Sequence, residues 1–154
     1  MTTAVGRKVR EWFSRLPGHL IRRAHQISTA YFLEECGGDL TAVQYAALVT
    51  IGAHPGIDAT RLSEIIYFDR STIGDVLDRM EGKGWIRRQP TPNDRRIKCL
   101  ELSSPGHAVL HQVEPGIRRV QERLLAGLTG GETKTLVRLL AKMADAAEDD
   151  GGED

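Results

Sequence analysis

The stretch Asp58 to Leu102 reads DATRLSEIIYFDRSTIGDVLDRMEGKGWIRRQPTPNDRRIKCLEL, and its punctuation decides the fold. Asp58 stands where an N-cap is wanted, ahead of a short helix carrying Leu62, Ile65 and Ile66. Tyr67 and Phe68 form a brief link. Asp69 then caps a second helix, Arg70 to Lys83, with Ile73, Val76, Leu77 and Met80 on one face and Gly84 as its stop. Two short helices joined by a tight link, the second amphipathic, form a helix-turn-helix pattern. Trp85 to Gln89 and Ile97 to Leu102 read as strands around the turn formers Pro90 to Arg95. A hairpin with a charged tip, placed directly after the second helix, turns the pattern into a winged helix-turn-helix.

Outward from this core the chain reads as helix. Residues 1–16 are a polar arm with Trp12 and Phe13, with a short helix as an alternative reading. Pro17 suits a first helical turn, since its missing N–H is no loss there. Leu20, Ala24, Ile27 and Tyr31 follow at helical spacing, and Gly37-Gly38 ends the run. Thr41 and Gln44 are spaced as a capping box before Val43, Ala47, Leu48 and Ile51, and His54-Pro55-Gly56 stops that helix. On the other side, Ser104 and Pro105 open a long helix as N-cap and first residue. Leu110, Val113, Ile117, Val120, Leu124 and Leu128 lie along it, and Pro115-Gly116 is expected to kink it. Thr129 and Glu132 are spaced to cap a last helix with Leu136, Leu140 and Met143. The expected fold is mainly α with a small β-hairpin wing and about six helices. It divides into dimerisation helices (17–57 and 104–145), a winged helix-turn-helix lobe (58–103) and a disordered acidic tail (146–154).

Composition agrees with this. The 154 residues are enough for one domain, and low aromatic content leaves an aliphatic core. No apolar run reaches the ~20 residues of a membrane span, and no secretory leader is evident. The two cysteines, Cys36 and Cys99, lack metal or redox spacing, so a reduced cytoplasmic protein is expected. The formal charge of zero conceals an asymmetry. Asp145, Glu148, Asp149, Asp150, Glu153 and Asp154 crowd the C-terminus. Arg7, Lys8, Arg10, Arg15, Arg22 and Arg23 crowd the start, and Arg87, Arg88, Arg95, Arg96 and Lys98 crowd the hairpin. The outer helices carry apolar stripes longer than a small domain can cover. Pairing with a second chain would cover them and set two second helices on half-sites ~34–36 Å apart on DNA.

The stretches LTAVQYAALVTI, DATRLSEIIYFDRSTIGDVLDRMEGKGWIRR and PNDRRIKCLELSSPGHAVL resemble the MarR family of winged-helix regulators over residues 17–145. LPGHLIRRAHQI and FDRSTIGDVLDR are similar to the branch that controls catabolism of aromatic and N-heteroaromatic acids. The resemblance implies a homodimeric repressor or, less often, activator that binds pseudo-palindromic double-stranded operator DNA, is usually relieved by a small ligand and needs no cofactor. Carried onto this chain, it puts Arg70, Ser71, Thr72, Gly74, Asp75 and Arg79 in the major groove. Ser71 and Thr72 would meet phosphate or base edges, and Gly74 would let the backbone approach. Asp75 would accept from a cytosine amino group or, preferably, pair with a nearby arginine. Arg96 would enter the minor groove, Asp94 would orient it or tie the wing to Arg79, and Arg95 and Lys98 would meet phosphate.

The effector is expected to be an aromatic or heteroaromatic carboxylate. The resemblance places its cleft between the helix starting at Pro17, the helix after it and the winged lobe. His19 and Arg23 share a helical face, with Arg22 and His25 nearby and Tyr31 further along. Cationic donors beside apolar surface suit such an acid, although dimer-interface or surface roles are an equal alternative. His107 and His111 stand at i, i+4 but lack a third ligand, so they read as helix-surface or interface residues and no metal site is expected. No phosphate loop or nucleophile elbow is present, so no enzyme is expected. The rival readings are a constitutive or cysteine-redox-responsive DNA binder and a dimeric adaptor that binds protein through its wing.

Overall fold

The computed structural model describes residues 4–90 and 98–150. Its elements are α1 (Ala4–Phe13), α2 (Pro17–Cys36), α3 (Ala42–Ala53), α4 (Ala59–Ile66), α5 (Arg70–Gly82), β1 (Ile86–Pro90), β2 (Lys98–Leu102), α6 (Ser104–Leu125) and α7 (Gly130–Asp150). This is the expected mainly helical fold with a hairpin wing. It has seven helices among the described residues, because the N-terminal arm itself forms α1.

Most helices begin where their side chains predict. Thr41 accepts from the Gln44 N–H at 3.3 Å, and the Gln44 side chain accepts from the Thr41 N–H at 3.0 Å. Asp58 accepts from the N–H groups of Thr60 and Arg61 at 2.8 and 2.9 Å. Thr129 and Glu132 exchange the same pair of bonds before α7, at 2.8 and 3.3 Å. Each such bond satisfies an N–H that the helix leaves orphaned. Asp58→Ala therefore removes the one acceptor, Oδ1, that serves both N–H groups. It is expected to cost about 1–2 kcal/mol and to lower the thermal midpoint by several degrees. A midpoint unchanged within a degree would show that water replaces the cap at no cost.

The most deeply buried part of the core lies between α3 and the winged lobe. Ala47, Leu48 and Ile51 of α3, Leu62 of α4, Ile73 and Met80 of α5, Ile86 of β1 and Leu100 of β2 are almost wholly buried. The strands pair antiparallel from Ile86 opposite Leu102 to Pro90 opposite Lys98. A further bridge joins Ile57 to Leu100, whose N–H and carbonyl both bond to the Gly56-Ile57 segment, so β2 has a neighbour on each edge there. Gly84 takes a left-handed φ of 72°, and the Trp85 N–H closes α5 on the Met80 carbonyl at 2.9 Å. That closure delays the first strand to Ile86, one residue later than expected.

Two further expectations change. The N-cap of α6 is Ser103, not Ser104. Its oxygen accepts from the Gly106 N–H at 3.1 Å while its proton goes to the Gly84 carbonyl, so it fastens the helix to the hairpin. Pro115-Gly116, where a kink is expected, lies inside α6, which is one element from Ser104 to Leu125. A Cβ on Gly116 would lie 2.6 Å from the Glu35 carbonyl oxygen, so this glycine is where α6 presses on the end of α2. Tertiary contact outweighs the local propensity there. Finally, α7 continues through residues 146–150, which were expected to be disordered. Ala146 and Ala147 are strong helix formers and extend a helix already nucleated. Residues 151–154 lie outside the described part.

Candidate nucleic-acid interface and small-molecule cavity

Helix α5 buries Ile73, Val76, Leu77 and Met80, so its other side must face outward. Arg70, Ser71, Gly74, Asp75, Asp78 and Arg79 are all exposed, and Thr72 is half-buried. Asp69 organises the start of the helix. It accepts from the Thr72 N–H at 2.8 Å, from Ser71 Oγ at 2.6 Å and from the Thr72 hydroxyl. The hydroxyl bonds from Ser71 and Thr72, then the Thr72 N–H, hold its carboxyl far below the usual carboxylate range. The Arg70 guanidinium reaches back to the Thr60 hydroxyl, tying the first turn of α5 to α4. A Cβ at Gly74 would meet nothing within 4 Å, which leaves bare backbone on the outward face.

The preferred pairing of Asp75 with an arginine is not made with any described residue. The described ion pairs from the hairpin to α5 instead join Arg88 to Asp78 at 2.6 Å and to Glu81 at 3.4 Å. Arg88 is the less exposed partner, and it anchors the hairpin root to the helix. It lies on β1 opposite Leu100, near enough to α5 for the acids one turn apart to capture it. Lys98 is exposed at the start of β2. Asp94, Arg95 and Arg96, and with them the expected tie from Asp94 to Arg79, lie outside the described residues.

The proposed effector residues do not gather at one place. His19 is half-buried and stacks on Phe13, ring centroids 4.4 Å apart. Arg22, Arg23 and His25 are exposed along α2. Tyr31 is about 18 Å further along the helix at 1.5 Å per residue, and Arg123 of α6 covers its ring at 3.9 Å. Arg123 also bridges Glu34 and Glu35 at 2.7 and 2.8 Å, and Arg119 meets Glu35 at 2.6 Å. These arginines lower the Glu35 pKa. Tyr31 thus belongs to a clamp between α2 and α6.

A cavity of about 380 Å³ opens elsewhere, among Tyr45, Val49 and Gly52 of α3, Leu102 of β2, and His107, Leu110, His111 and Glu114 of α6. It falls within the size range of small-molecule sites. It lies beside the second helix and the winged lobe, as expected, but no α2 residue lines it. Burial raises the Tyr45 pKa, so its phenol stays a donor. Glu114 is held as a carboxylate by Arg118. Gly52 forms part of the wall because a Cβ there would come within 3.0 Å of Leu102 Cδ1. His107 and His111 are exposed on α6, in keeping with the helix-surface reading, and they line this cavity as well. Their i, i+4 spacing was the available signal, but nothing in the sequence showed which face of α6 met α3.

The MarR family model matches residues 40–98, from the start of α3 through the hairpin to β2. The HTH-type transcriptional repressor NicR of Pseudomonas putida is 32% identical over 135 residues, covering 87% of this chain and 85% of NicR. The chain belongs to the MarR family.

It is accordingly a winged-helix transcriptional regulator. Streptomyces coelicolor PcaV, solved with its natural ligand, is 32% identical with a TM-score of 0.81, covering 87% of this chain and 95% of PcaV. Bordetella bronchiseptica BpsR, whose DNA binding is regulated by 6-hydroxynicotinic acid, is 28% identical with a TM-score of 0.83, covering 86% and 96%. Among the described residues of this MarR-family chain no helix is long and apolar enough to cross a membrane. Burial raises the Cys36 pKa, which lowers the thiolate fraction that redox chemistry needs.

Proposed function

We propose that this MarR-family regulator is a cytoplasmic homodimeric repressor that grips operator DNA with α5 and the wing and releases it when a small aromatic acid binds. One observation carries the DNA part. The exposed side of α5 holds Arg70, Ser71, Gly74 and Arg79 over a fully apolar back, with a basic hairpin fastened beside it. Residues 58–103 form the DNA-binding lobe, and 17–57 with 104–145 form the dimerisation part. Arg70, Ser71, Thr72, Gly74, Asp75 and Arg79 face the major groove. Asp94, Arg95, Arg96 and Lys98 serve the wing.

The acid occupies the cavity between α3 and α6, with Tyr45, His107 and His111 as its donors. His19, Arg22, Arg23 and His25 reach that acid only if a second chain lays its α2 across the opening, since no α2 residue lines the cavity within one chain. BpsR supports the choice of heteroaromatic acids. The test screens nicotinate, benzoate and hydroxycinnamate types by thermal shift and by release of a fluorescent operator. His107→Ala with His111→Ala is expected to keep operator affinity within about threefold and to lose release by the active acid. His19→Ala with Arg23→Ala loses release as well if α2 contributes. If the His107/His111 variant responds like wild type, the cavity is not the effector site. Operator binding is checked separately: Arg96→Ala weakens it by ~1–3 kcal/mol, and Lys98→Ala flattens the salt dependence by about one unit. Affinity insensitive to salt would favour the protein-binding adaptor instead.

A further inference from the structure

Asp69 does more at the start of α5 than cap it. It accepts from the Ser71 hydroxyl at 2.6 Å, from the Thr72 hydroxyl, and from the Thr72 N–H at 2.8 Å. These bonds keep the carboxyl ionised, and an ionised carboxylate only accepts. Both hydroxyls must therefore be the donors. A hydroxyl has one proton and two lone pairs. With that proton held by Asp69, each oxygen presents only acceptor capacity to anything that approaches from outside. Ser71 is exposed to such an approach, and Thr72 partly so.

What can meet them on DNA is then restricted. Phosphate oxygens are acceptors, as are guanine N7 and O6, adenine N7 and thymine O4. The complementary donors in the major groove are the N4 amino group of cytosine and the N6 amino group of adenine. We infer that Asp69 is a positioning residue for base specificity: through Ser71 foremost, it makes the leading edge of α5 an acceptor surface that selects exocyclic amino groups of cytosine or adenine and rejects phosphate. The inference rests on the reading of α5 as the DNA-recognition helix. Membership in a family of transcriptional regulators and the exposed Arg70 and Arg79 support that reading independently of the helix terminus. The negative charge of Asp69 acts in the same direction, because it weakens sequence-independent attraction to the backbone. Arg70, held by Thr60 on the α4 side, keeps a cation beside the same edge.

The test uses the full-length protein and a duplex chosen by wild type from a randomised library. Each adenine is replaced singly by purine and each cytosine by pyrimidin-2-one, so that one amino group is deleted at a time. Wild type is expected to lose about fivefold in affinity, the worth of one hydrogen bond, at one position in each half-site. Ser71→Ala and Asp69→Asn are expected to show less than a twofold change for the same deletion. Asp69→Asn keeps an oxygen for the cap, but its amide can donate to a hydroxyl and release that proton outward. It should therefore bind random duplex more tightly than wild type. Thermal melts of both variants within a few degrees of wild type exclude misfolding, and Ser71→Ala disturbs no cap. If no amino deletion separates wild type from these variants, the inference is wrong while α5 remains the recognition helix. If wild type selects no duplex at all, the recognition reading falls and this inference with it.

Discussion

Leu136→Glu combined with Leu140→Glu on α7 is expected to give a monomer whose affinity for a full inverted-repeat operator falls by 100-fold or more. The helix exposes Leu136, Val137, Leu139, Leu140 and Met143, from 37% to 58% each, and α2 exposes Leu20, Ile21 and Ile27. Aliphatic area of that extent on the outer helices calls for a partner. A two-fold pair supplies the same helices from a second copy. Two carboxylates in the stripe would then be buried beside their symmetry mates, at a cost the interface cannot meet. The winged lobe should remain folded, since the buried core contains no α7 residue. Binding then rests on one lobe per half-site, and tethering of two sites is worth 10²–10⁴ in avidity. Light scattering and a mobility-shift titration measure both effects. A dimer that persists, or a monomer that holds the full operator as tightly as wild type, would refute the assignment of α7 to the interface.

Gly106→Ala is expected to lower the thermal midpoint by about 5–10 °C. A Cβ at this buried position would lie 2.1 Å from the Trp85 carbonyl oxygen and 3.1 Å from its carbon. The obstacle is backbone, and that same oxygen accepts from the Ser103 N–H at 3.0 Å. The start of α6 must therefore lift from the hairpin. Overpacking of this kind costs about 3 kcal/mol or more, of which alanine's better helix propensity returns ~1 kcal/mol. The remainder is several degrees in a chain of this size. Gly74→Ala is the internal control, because a Cβ there meets nothing within 4 Å. It should raise the midpoint slightly. If both variants melted like wild type, the contact between α6 and the hairpin root would be looser than described.

The lobe that reads DNA was legible because its signals are local. Asp58, Asp69, Gly84 and the turn formers after Gln89 act on neighbours within a few residues, so sequence alone located both helices and both strands to within a residue or so. The capping box at Thr41 is equally local. What escaped depended on distant partners. Ser103 becomes the cap of α6 in preference to Ser104 because the Gly84 carbonyl, nineteen residues back, takes its proton. Pro115-Gly116 reads only as a kink, but the fold uses the missing side chain of Gly116 to admit the Glu35 backbone. The cavity failed to appear for the same reason. His107 and His111 share a helical face at any register; both stay exposed, and only the packing of α6 on α3 sets that face at the edge of the cavity. Tyr31 showed the converse, since an aromatic at helical spacing met an arginine from ninety-two positions away.

Leu102 gives the cavity an unusual mechanical character. It ends β2, lines the cavity, and sits against both Gly52 on α3 and the start of α6 at Gly106. Behind it, Ala47, Leu48 and Ile51 leave α3 no room to retreat. The cavity thus has α3 as its floor and the base of the hairpin, through Leu102, as one of its walls. An occupant that presses on Leu102 presses on the wing. If the effector occupies this cavity, bulk and charge would divide the work: polar groups would decide how long a guest stays, while its girth would decide how far the wing is displaced. Two acids of equal affinity but different width would differ as inducers, and a slim, tightly held one would act as an antagonist.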